Sequence, residues 1–182
     1  MVKAHGTTGL RSGRVLETEY RPGSVGPGML SLRHTDPTTF ESTSGQVRLD
    51  PWIADEYQII ELEIGNYFML CGAQAVVAVE AASLAWLSSI ALEYQEGETI
   101  DLPWSAESQR SRLLVLATER RVWCLDERGA IRWVWSCTTG DQNRWISDEP
   151  VIAGDLVRVP LRTVTSAPAV ELRLGDGLPT GN

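Results

Sequence analysis

The chain has 182 residues with 16 basic and 24 acidic side chains, which gives a net charge of −8 at neutral pH. This charge argues against nucleic acid or an anionic membrane as the main partner, because both are themselves negative. Hydrophobic residues make up 43% and charged residues 22% of the chain, a composition that can bury a globular core. The length makes one domain the default, with two small ones possible.

Residues 1–45 contain few aliphatic side chains and many Gly, Pro, Ser and Thr. Such a segment cannot bury enough apolar surface to offset its ordering entropy, which predicts a loop-rich N-terminal arm. Two apolar islands at 14–20 and 29–33 are compatible with strands docked on the main body. They would pair as a hairpin across the Gly-Pro turn between them.

Residues 46–177 indicate a β domain of short apolar runs separated by turn residues. Gly65-Asn66 separates two of these runs and is a hairpin signal. Gly129 stands where the turn after Asp126 needs a left-handed residue. The pattern predicts an all-β fold of about ten short antiparallel strands, either a sandwich or an incomplete propeller.

The last part of the chain shows the same pattern of short apolar runs and turn residues, less regularly. Pro160 in the run 156–162 indicates an edge strand or a bulge, because proline cannot donate to a strand ladder. A second run at 170–174 alternates apolar and charged residues and ends at a Gly-Asp-Gly turn. The tail 178–182 is expected to fray.

One stretch occurs twice, about 46 residues apart. Residues 70–88 correspond to residues 116–135, and one extra residue in the second turn brings Trp86 onto Trp133. A repeat of this period indicates stacked or radially arranged β-units. Because they occupy equivalent positions, we expect both tryptophans in the core.

The first copy also allows a helical interpretation. Residues 68–92 carry a single charge, Glu80, and are long enough to span a bilayer, while the alanines of 73–92 favour helix. Interspersed polar residues and the lack of flanking Lys or Arg argue against a span. The downstream copy is charged and rich in β-formers, so we predict strand-turn-strand for both copies.

The clearest version of the repeat consists of Leu116, Val122, Leu125, Asp126, Gly129 and Trp133. This pattern resembles the repeat of quinoprotein-type β-propellers, in which an apolar strand, a Leu-Asp turn with Gly and a closing Trp make up most of one blade. The resemblance implies blades of that kind. A complete propeller of the family has about six to eight blades and this chain has room for about four, so we expect no closed ring, no quinone site and no other cofactor. The chain from residue 57 onward is also similar to small uncharacterised bacterial β-rich proteins, a likeness that implies no activity.

Three cysteines, Cys71, Cys124 and Cys137, form no CxxC pair and leave an odd count. Two of them stand in apolar strand patterns, where a free thiol behaves as a small hydrophobe. This usage is typical of a reducing compartment. The N-terminus lacks the apolar region of a signal peptide, so we expect a cytoplasmic location.

Residues with catalytic or metal-binding chemistry are sparse. Only two histidines occur, His5 and His34, which argues against a His general base or a multi-His metal site. Glu61 and Glu63 lie two apart on one predicted strand and share a face, an arrangement that would suit the two acids of a glycosidase; a solvated face is the alternative. We predict no catalytic residue and no metal ligand.

The acidic segment 93–104 is the strongest interaction candidate. Its carboxylates can attract a basic partner while Trp104 supplies buried area, and the alternative is a solvated loop whose Trp folds back on the core. Trp123 and Trp135, if both exposed, would add to a binding surface. The predicted partner-binding residues are Glu96, Glu98, Asp101, Trp104, Trp123 and Trp135.

These observations favour a non-enzymatic protein-binding module, of which an immunity-type protein that neutralises a basic toxin is one concrete form. A carboxylate-based hydrolase acting on glycans is one alternative. A structural subunit of a larger assembly is the other, and the oligomeric state stays open.

Overall fold

A computed structural model describes residues 4–9, 13–21, 28–49, 60–72, 75–94, 98–99, 101–137, 144–163, 166 and 168–181. Every regular element in these ranges is a β-strand, and the sixteen strands form four antiparallel four-stranded sheets. The prediction of an all-β antiparallel fold is therefore confirmed, with more strands than expected. The chain divides into two compact units, Met1–Leu92 and Glu93–Asn182.

The N-terminal unit contains the first and second sheets. The first sheet has the order β1-β2-β3-β4, with strands Ala4–Gly9, Val15–Arg21, Gly28–Thr35 and Ser42–Leu49. The second sheet has the order β5-β6-β7-β8, with strands Ile60–Ile64, Tyr67–Cys71, Ala75–Glu80 and Trp86–Ala91. One hydrophobic core joins them, from Leu16, Leu30, Leu32 and Val47 of the first sheet to Phe68, Leu70, Val77 and Val79 of the second.

The C-terminal unit contains the third and fourth sheets. The third sheet pairs β9 to β12 in sequence order, with strands Trp104–Ser108, Leu113–Ala117, Arg121–Asp126 and Ile131–Ser136. In the fourth sheet β15 lies between β16 on one side and both β13 and β14 on the other, with strands Trp145–Ile146, Val151–Ala153, Leu156–Arg162 and Ala169–Arg173. Their shared core includes Val115, Val122, Cys124 and Trp133 with Ile146, Val157, Val159 and Leu172.

The predicted N-terminal arm is where fold and expectation differ most. The two apolar islands do form the hairpin β2–β3, but β1 and β4 complete a whole sheet around it. The physical reason is strict alternation: in β3 Leu30 and Leu32 point into the core while Ser31 and Arg33 face outward. Half of the positions in such a strand are therefore polar, which lowers the fraction of apolar residues and made the segment resemble a loop. Because this sheet shares a core with the second, the expected border at residue 46 does not separate the two units.

The second and third sheets are buried differently from the first. Residues 75–79 of β7 and 122–125 of β11 are buried without alternation, so both faces of these strands are covered. Strands covered on both faces carry continuous apolar runs. The strands β7 and β8 also rule out the helical interpretation of residues 73–92, and no helix in the described ranges is long and apolar enough to cross a membrane.

The same backbone turn links the last two strands of the second and third sheets. In the third sheet Asp126 N–H donates to Ala130 O and Gly129 N–H to Asp126 O, both at 2.9 Å. In the second sheet Glu80 N–H donates to Ala85 O at 2.9 Å and Leu84 N–H to Glu80 O at 2.8 Å. Gly129 has φ of 78° and Leu84 has φ of 57°, so a leucine occupies the left-handed position where the other turn has glycine.

This turn recurs in the remaining two sheets. Phe40 with φ of 58° closes the turn from Asp36 to Glu41, and Gly177 with φ of 71° closes the turn that begins at Arg173. The four turns follow one another roughly 45 residues apart, so the repeat predicted from two copies extends to four.

Strand pairing corrects the alignment of the two sequence copies. Trp86 lies opposite Val79, just after the bulge in β7–β8, and Ile131 lies opposite Leu125 at the same point in β11–β12. The extra residue is therefore in the first turn, and Trp86 corresponds to Ile131. Trp86 is 55% exposed, so the prediction that it belongs to the core is wrong; Trp133, at 8%, is buried as predicted.

Pro160 lies in the central strand of the fourth sheet, where an edge strand or bulge was expected. The neighbouring Leu161 N–H donates to Pro168 O, on the side of β16. The nitrogen of Pro160 consequently faces the opposite side, in the interval between the end of β13 at Ile146 and the start of β14 at Val151. A missing N–H breaks no ladder hydrogen bond there.

Candidate functional site

The predicted acidic segment is anchored to the turn between β10 and β11. The Glu98 carboxylate accepts a hydrogen bond from the Thr118 hydroxyl and another from Arg120 N–H at 3.1 Å. At the start of the segment, Arg121 Nη1 donates to the carbonyl of Glu93 at 3.2 Å and to its carboxylate at 3.1 Å. Glu98 therefore holds the segment in place, whereas the sequence analysis expected it to meet a partner directly.

Asp101 lies further along the same segment and is exposed. Its carbonyl accepts a hydrogen bond from the Tyr94 hydroxyl at 2.9 Å, and Thr99 N–H donates to Glu119 Oε2 at 3.3 Å. These bonds fix the backbone on either side of the Asp101 carboxylate. The Asp101 Oδ1 atom accepts a hydrogen bond from Leu102 N–H at 2.7 Å, and the residue as a whole is exposed.

A cavity of about 160 Å³ opens between this segment and the β10–β11 turn. It is lined by Thr99, Asp101, Leu102, Trp104, Thr118 and Glu119. Trp104 is half-buried, opens β9 and packs against the core of the C-terminal unit. Of the predicted binding residues, the fold thus brings Asp101 and Trp104 together, and Glu98 supports them.

The tryptophans of the third sheet do not form an exposed pair. Trp123 is 2% exposed in the middle of β11, so its predicted place on a binding surface is wrong. The reason is that β11 is covered on both faces, which period-two alternation alone does not reveal. Trp135 is half-buried and packs against the core of its unit.

Trp133 has a structural role that the sequence analysis missed. Its indole Nε1 donates to the carbonyl of Leu174 at 2.8 Å, joining the third sheet to the fourth. Gly177 lies against the same ring: a Cβ at that position would be 2.6 Å from Trp133 Cδ2 and Cε3. The glycine of the predicted Gly-Asp-Gly turn is the only sequence signal that points to this contact.

Other predicted residues contribute less. Glu96 lies outside the described residues, as do the side chains of Glu61 and Glu63, whose backbone forms part of β5. Within the described part of the chain no His, Cys, Asp and Glu side chains cluster as a metal site would require. All three cysteines are free and buried, and burial raises the pKa of Cys71 and of Cys124 to about 12.

Four antiparallel sheets that repeat one turn fit an incomplete propeller or a sandwich, the two architectures predicted from the sequence. A europium-containing methanol dehydrogenase is similar with a TM-score of 0.55 and 14% identity, over 66% of this chain and 23% of that chain. BamB from Moraxella catarrhalis is similar with a TM-score of 0.50 and 13% identity, over 98% of this chain and 72% of that chain. Both are β-propeller proteins, so the predicted resemblance to propeller repeats is confirmed at the level of the fold.

This chain thus spans less than a quarter of the dehydrogenase's length, and at such identities the likeness concerns the fold alone. No protein-family model and no curated protein matches the chain.

Proposed function

We propose that this chain is a non-enzymatic protein-binding module, and that its acidic cavity receives a basic side chain of the partner. The observation that supports the proposal is the convergence of Asp101, Glu119 and Trp104 on one small cavity. An immunity-type protein that neutralises a basic toxin is one concrete form of such a module.

The residue types around the cavity suit a cation. A carboxylate such as Asp101 forms charge-assisted hydrogen bonds to an ammonium or guanidinium group, and the face of Trp104 attracts the same groups. The net charge of −8 would add long-range attraction of a basic protein. An anionic ligand would meet repulsion from both sources.

The size of the cavity favours one side chain over a cofactor or metabolite. Sites for such small molecules are typically about 300 to 1,000 Å³, whereas this cavity has about 160 Å³. The hydrogen bonds of Glu98 to Thr118 and Arg120 also matter, because a residue that is already held in place loses little entropy when a partner binds.

The test is calorimetric titration of the chain against a panel of small basic proteins and a matched panel of acidic ones. We expect a basic partner to bind, and Asp101→Lys to weaken its binding at least tenfold, about 1.4 kcal/mol. The control is Asp148→Lys, which makes the same charge change at another exposed aspartate of the unit.

Equal effects of the two substitutions would show that only net charge matters and would refute a site at the cavity. Binding restricted to the acidic panel would refute the assigned class of partner.

A further inference from the structure

A second and larger cavity lies within the C-terminal unit, between the third and fourth sheets. Its volume is about 550 Å³. Three turns contribute to its wall: Ser111 lies in the turn before β10, Asp155 in the turn before β15 and Gly175 in the turn after β16. Sites for small molecules typically measure about 300 to 1,000 Å³, so this cavity can hold a ligand for which the cavity at Asp101 is too small.

The wall of this cavity has an apolar part built from three leucines. Leu113 of β10 and Leu156 of β15 are half-buried, and Leu174, directly after β16, is buried. Each comes from a different strand, so the apolar part extends from one sheet to the other. An apolar group placed against these side chains would be removed from water, which favours its binding.

Backbone hydrogen bonds hold the wall in place. The N–H of Leu174 donates to Asp155 O at 2.8 Å, and its carbonyl accepts the indole N–H of Trp133 at 2.8 Å. The turn that follows is closed by Gly177 N–H, which donates to Arg173 O at 2.8 Å. A wall fixed in this way needs little ordering when a ligand binds.

The space beside Gly175 is open. A Cβ built at this position meets no heavy atom within 4 Å, and the glycine does not have positive φ. Because Gly175 lines the cavity, a larger side chain there would occupy part of its volume without straining the backbone.

The charged residues of the wall leave one carboxylate without compensation. Arg173 and Asp176 neutralise each other through two contacts, Nε to Oδ1 at 3.1 Å and Nη2 to Oδ2 at 2.7 Å. Asp155 is exposed, and its carboxylate forms no hydrogen bond or ion pair with any residue that the structure describes. The net charge contributed by these three side chains is therefore negative.

We propose that this cavity binds a small organic cation, a primary amine attached to an apolar group. The apolar group packs against Leu113, Leu156 and Leu174, and the ammonium group forms charge-assisted hydrogen bonds with the Asp155 carboxylate. The net charge of −8 adds attraction for a cation. An anion would be repelled, and a neutral molecule would gain the apolar contact alone.

The test compares three molecules that share one apolar group: phenethylamine, phenethyl alcohol and phenylacetate. Binding to the full chain is measured by calorimetric titration and by the N–H signals of an isotope-labelled sample, up to about 10 mM ligand. We expect phenethylamine to bind with a dissociation constant below about 1 mM, the alcohol at least tenfold more weakly and phenylacetate more weakly still. The shifted signals should include Gly175 and the indole N–H of Trp133.

Two variants separate the charge from the space. Asp155→Asn removes the charge and should weaken phenethylamine at least tenfold while leaving the alcohol within about twofold. Its matched control is Asp148→Asn, which removes a charge at an exposed aspartate outside the cavity and should change neither ligand.

Gly175→Leu should weaken both ligands at least tenfold because it fills part of the cavity. Its matched control is Gly181→Leu, at a glycine that also has open space and no positive φ but does not line the cavity. If Gly175→Leu fails to fold, the comparison of Asp155→Asn with Asp148→Asn still decides the proposal.

Equal affinities for the amine and the alcohol would overturn the proposed class of ligand. The absence of binding at 10 mM would overturn the site, as would amine binding that Asp155→Asn does not weaken. Asp101→Lys should leave phenethylamine binding unchanged, since Asp101 does not line this cavity. An amine that is lost in Asp101→Lys would occupy the other cavity and would also overturn the proposal.

Discussion

The contact between Gly177 and Trp133 makes the sharpest prediction about stability. Replacing Gly177 with alanine adds a methyl group 2.6 Å from the ring and imposes φ of 71° on a residue with a side chain. The ring cannot easily move away, since its Nε1 is hydrogen-bonded to Leu174 O at 2.8 Å. A left-handed alanine costs about 1 to 2 kcal/mol, and overpacking a core costs about 1 to 3 kcal/mol more. We expect Gly177→Ala to lower the free energy of unfolding by about 3 kcal/mol.

Two other glycines separate these costs. Gly154 also has positive φ, at 62°, but a methyl group there would meet nothing within 4 Å, so Gly154→Ala should cost only about 1 kcal/mol. Gly175 has open space and no positive φ, so Gly175→Ala should change stability by less than about 1 kcal/mol. Urea unfolding followed by tryptophan fluorescence measures all three variants, because five of the seven tryptophans lie in the C-terminal unit.

Shrinking the ring position gives the decisive comparison. In a Trp133→Leu background the added methyl group has room, so the further cost of Gly177→Ala should fall to that of Gly154→Ala. Equal costs for Gly154→Ala and Gly177→Ala in the unaltered chain would refute the reasoning. A Gly177→Ala cost that persists after the ring is removed would refute it as well.

Three further predictions concern other parts of the molecule. Gly45→Ala places a Cβ 2.6 Å from Leu84 Cβ and should lower the free energy of unfolding, measured by urea titration, by about 1 to 3 kcal/mol. An unchanged stability would contradict the close contact between Gly45 and Leu84. In a double-mutant cycle, Thr118→Val and Glu98→Ala should show a coupling of about 1 to 2 kcal/mol, and additivity would contradict their hydrogen bond. Burial raises the pKa of the Cys71 thiol from 9.0 to about 12, so the unfolded state loses that proton first. The free energy of unfolding should therefore fall between those two pH values, and Cys71→Ala should reduce the fall. An equal pH slope in the two proteins would contradict the burial of this thiol.

The fold class was predictable because backbone pairing leaves a period-two pattern in the chain. The turn at Gly129 was located from its glycine, and its φ of 78° agrees with that interpretation. The sequence predicted two copies of the repeat and not the copies in the first and fourth sheets, because the turn is held by backbone hydrogen bonds that tolerate many side chains. Phe40 and Leu84 take the left-handed position in two sheets, and no propensity rule would place them there.

Burial was harder to predict than strand identity. Aligning Trp86 with Trp133 by residue type shifted the true register by two. The bulge in each hairpin places Trp86 and its true counterpart Ile131 on the face opposite to that of Trp133, and no sequence signal marked the bulge. Trp123 was expected on an exposed face, but whether a strand is covered on one side or both depends on tertiary packing. In the acidic segment, residue types predicted Asp101 and Trp104 as partner-binding residues, and both line one cavity. The support from Glu98 depends on Thr118, about 20 residues away in the chain, and has no local signature.

The equivalence of the β7–β8 and β11–β12 hairpins, on which the repeated-sheet fold rests, is tested most directly by nuclear Overhauser effects in a labelled sample. The pairing predicts cross-strand contacts between Ala78 and Ser88 and between Cys124 and Trp133, with Trp86 opposite Val79. Contacts between residues three apart along 75–91, the signature of a helix, would contradict the equivalence and the four-sheet fold built on it.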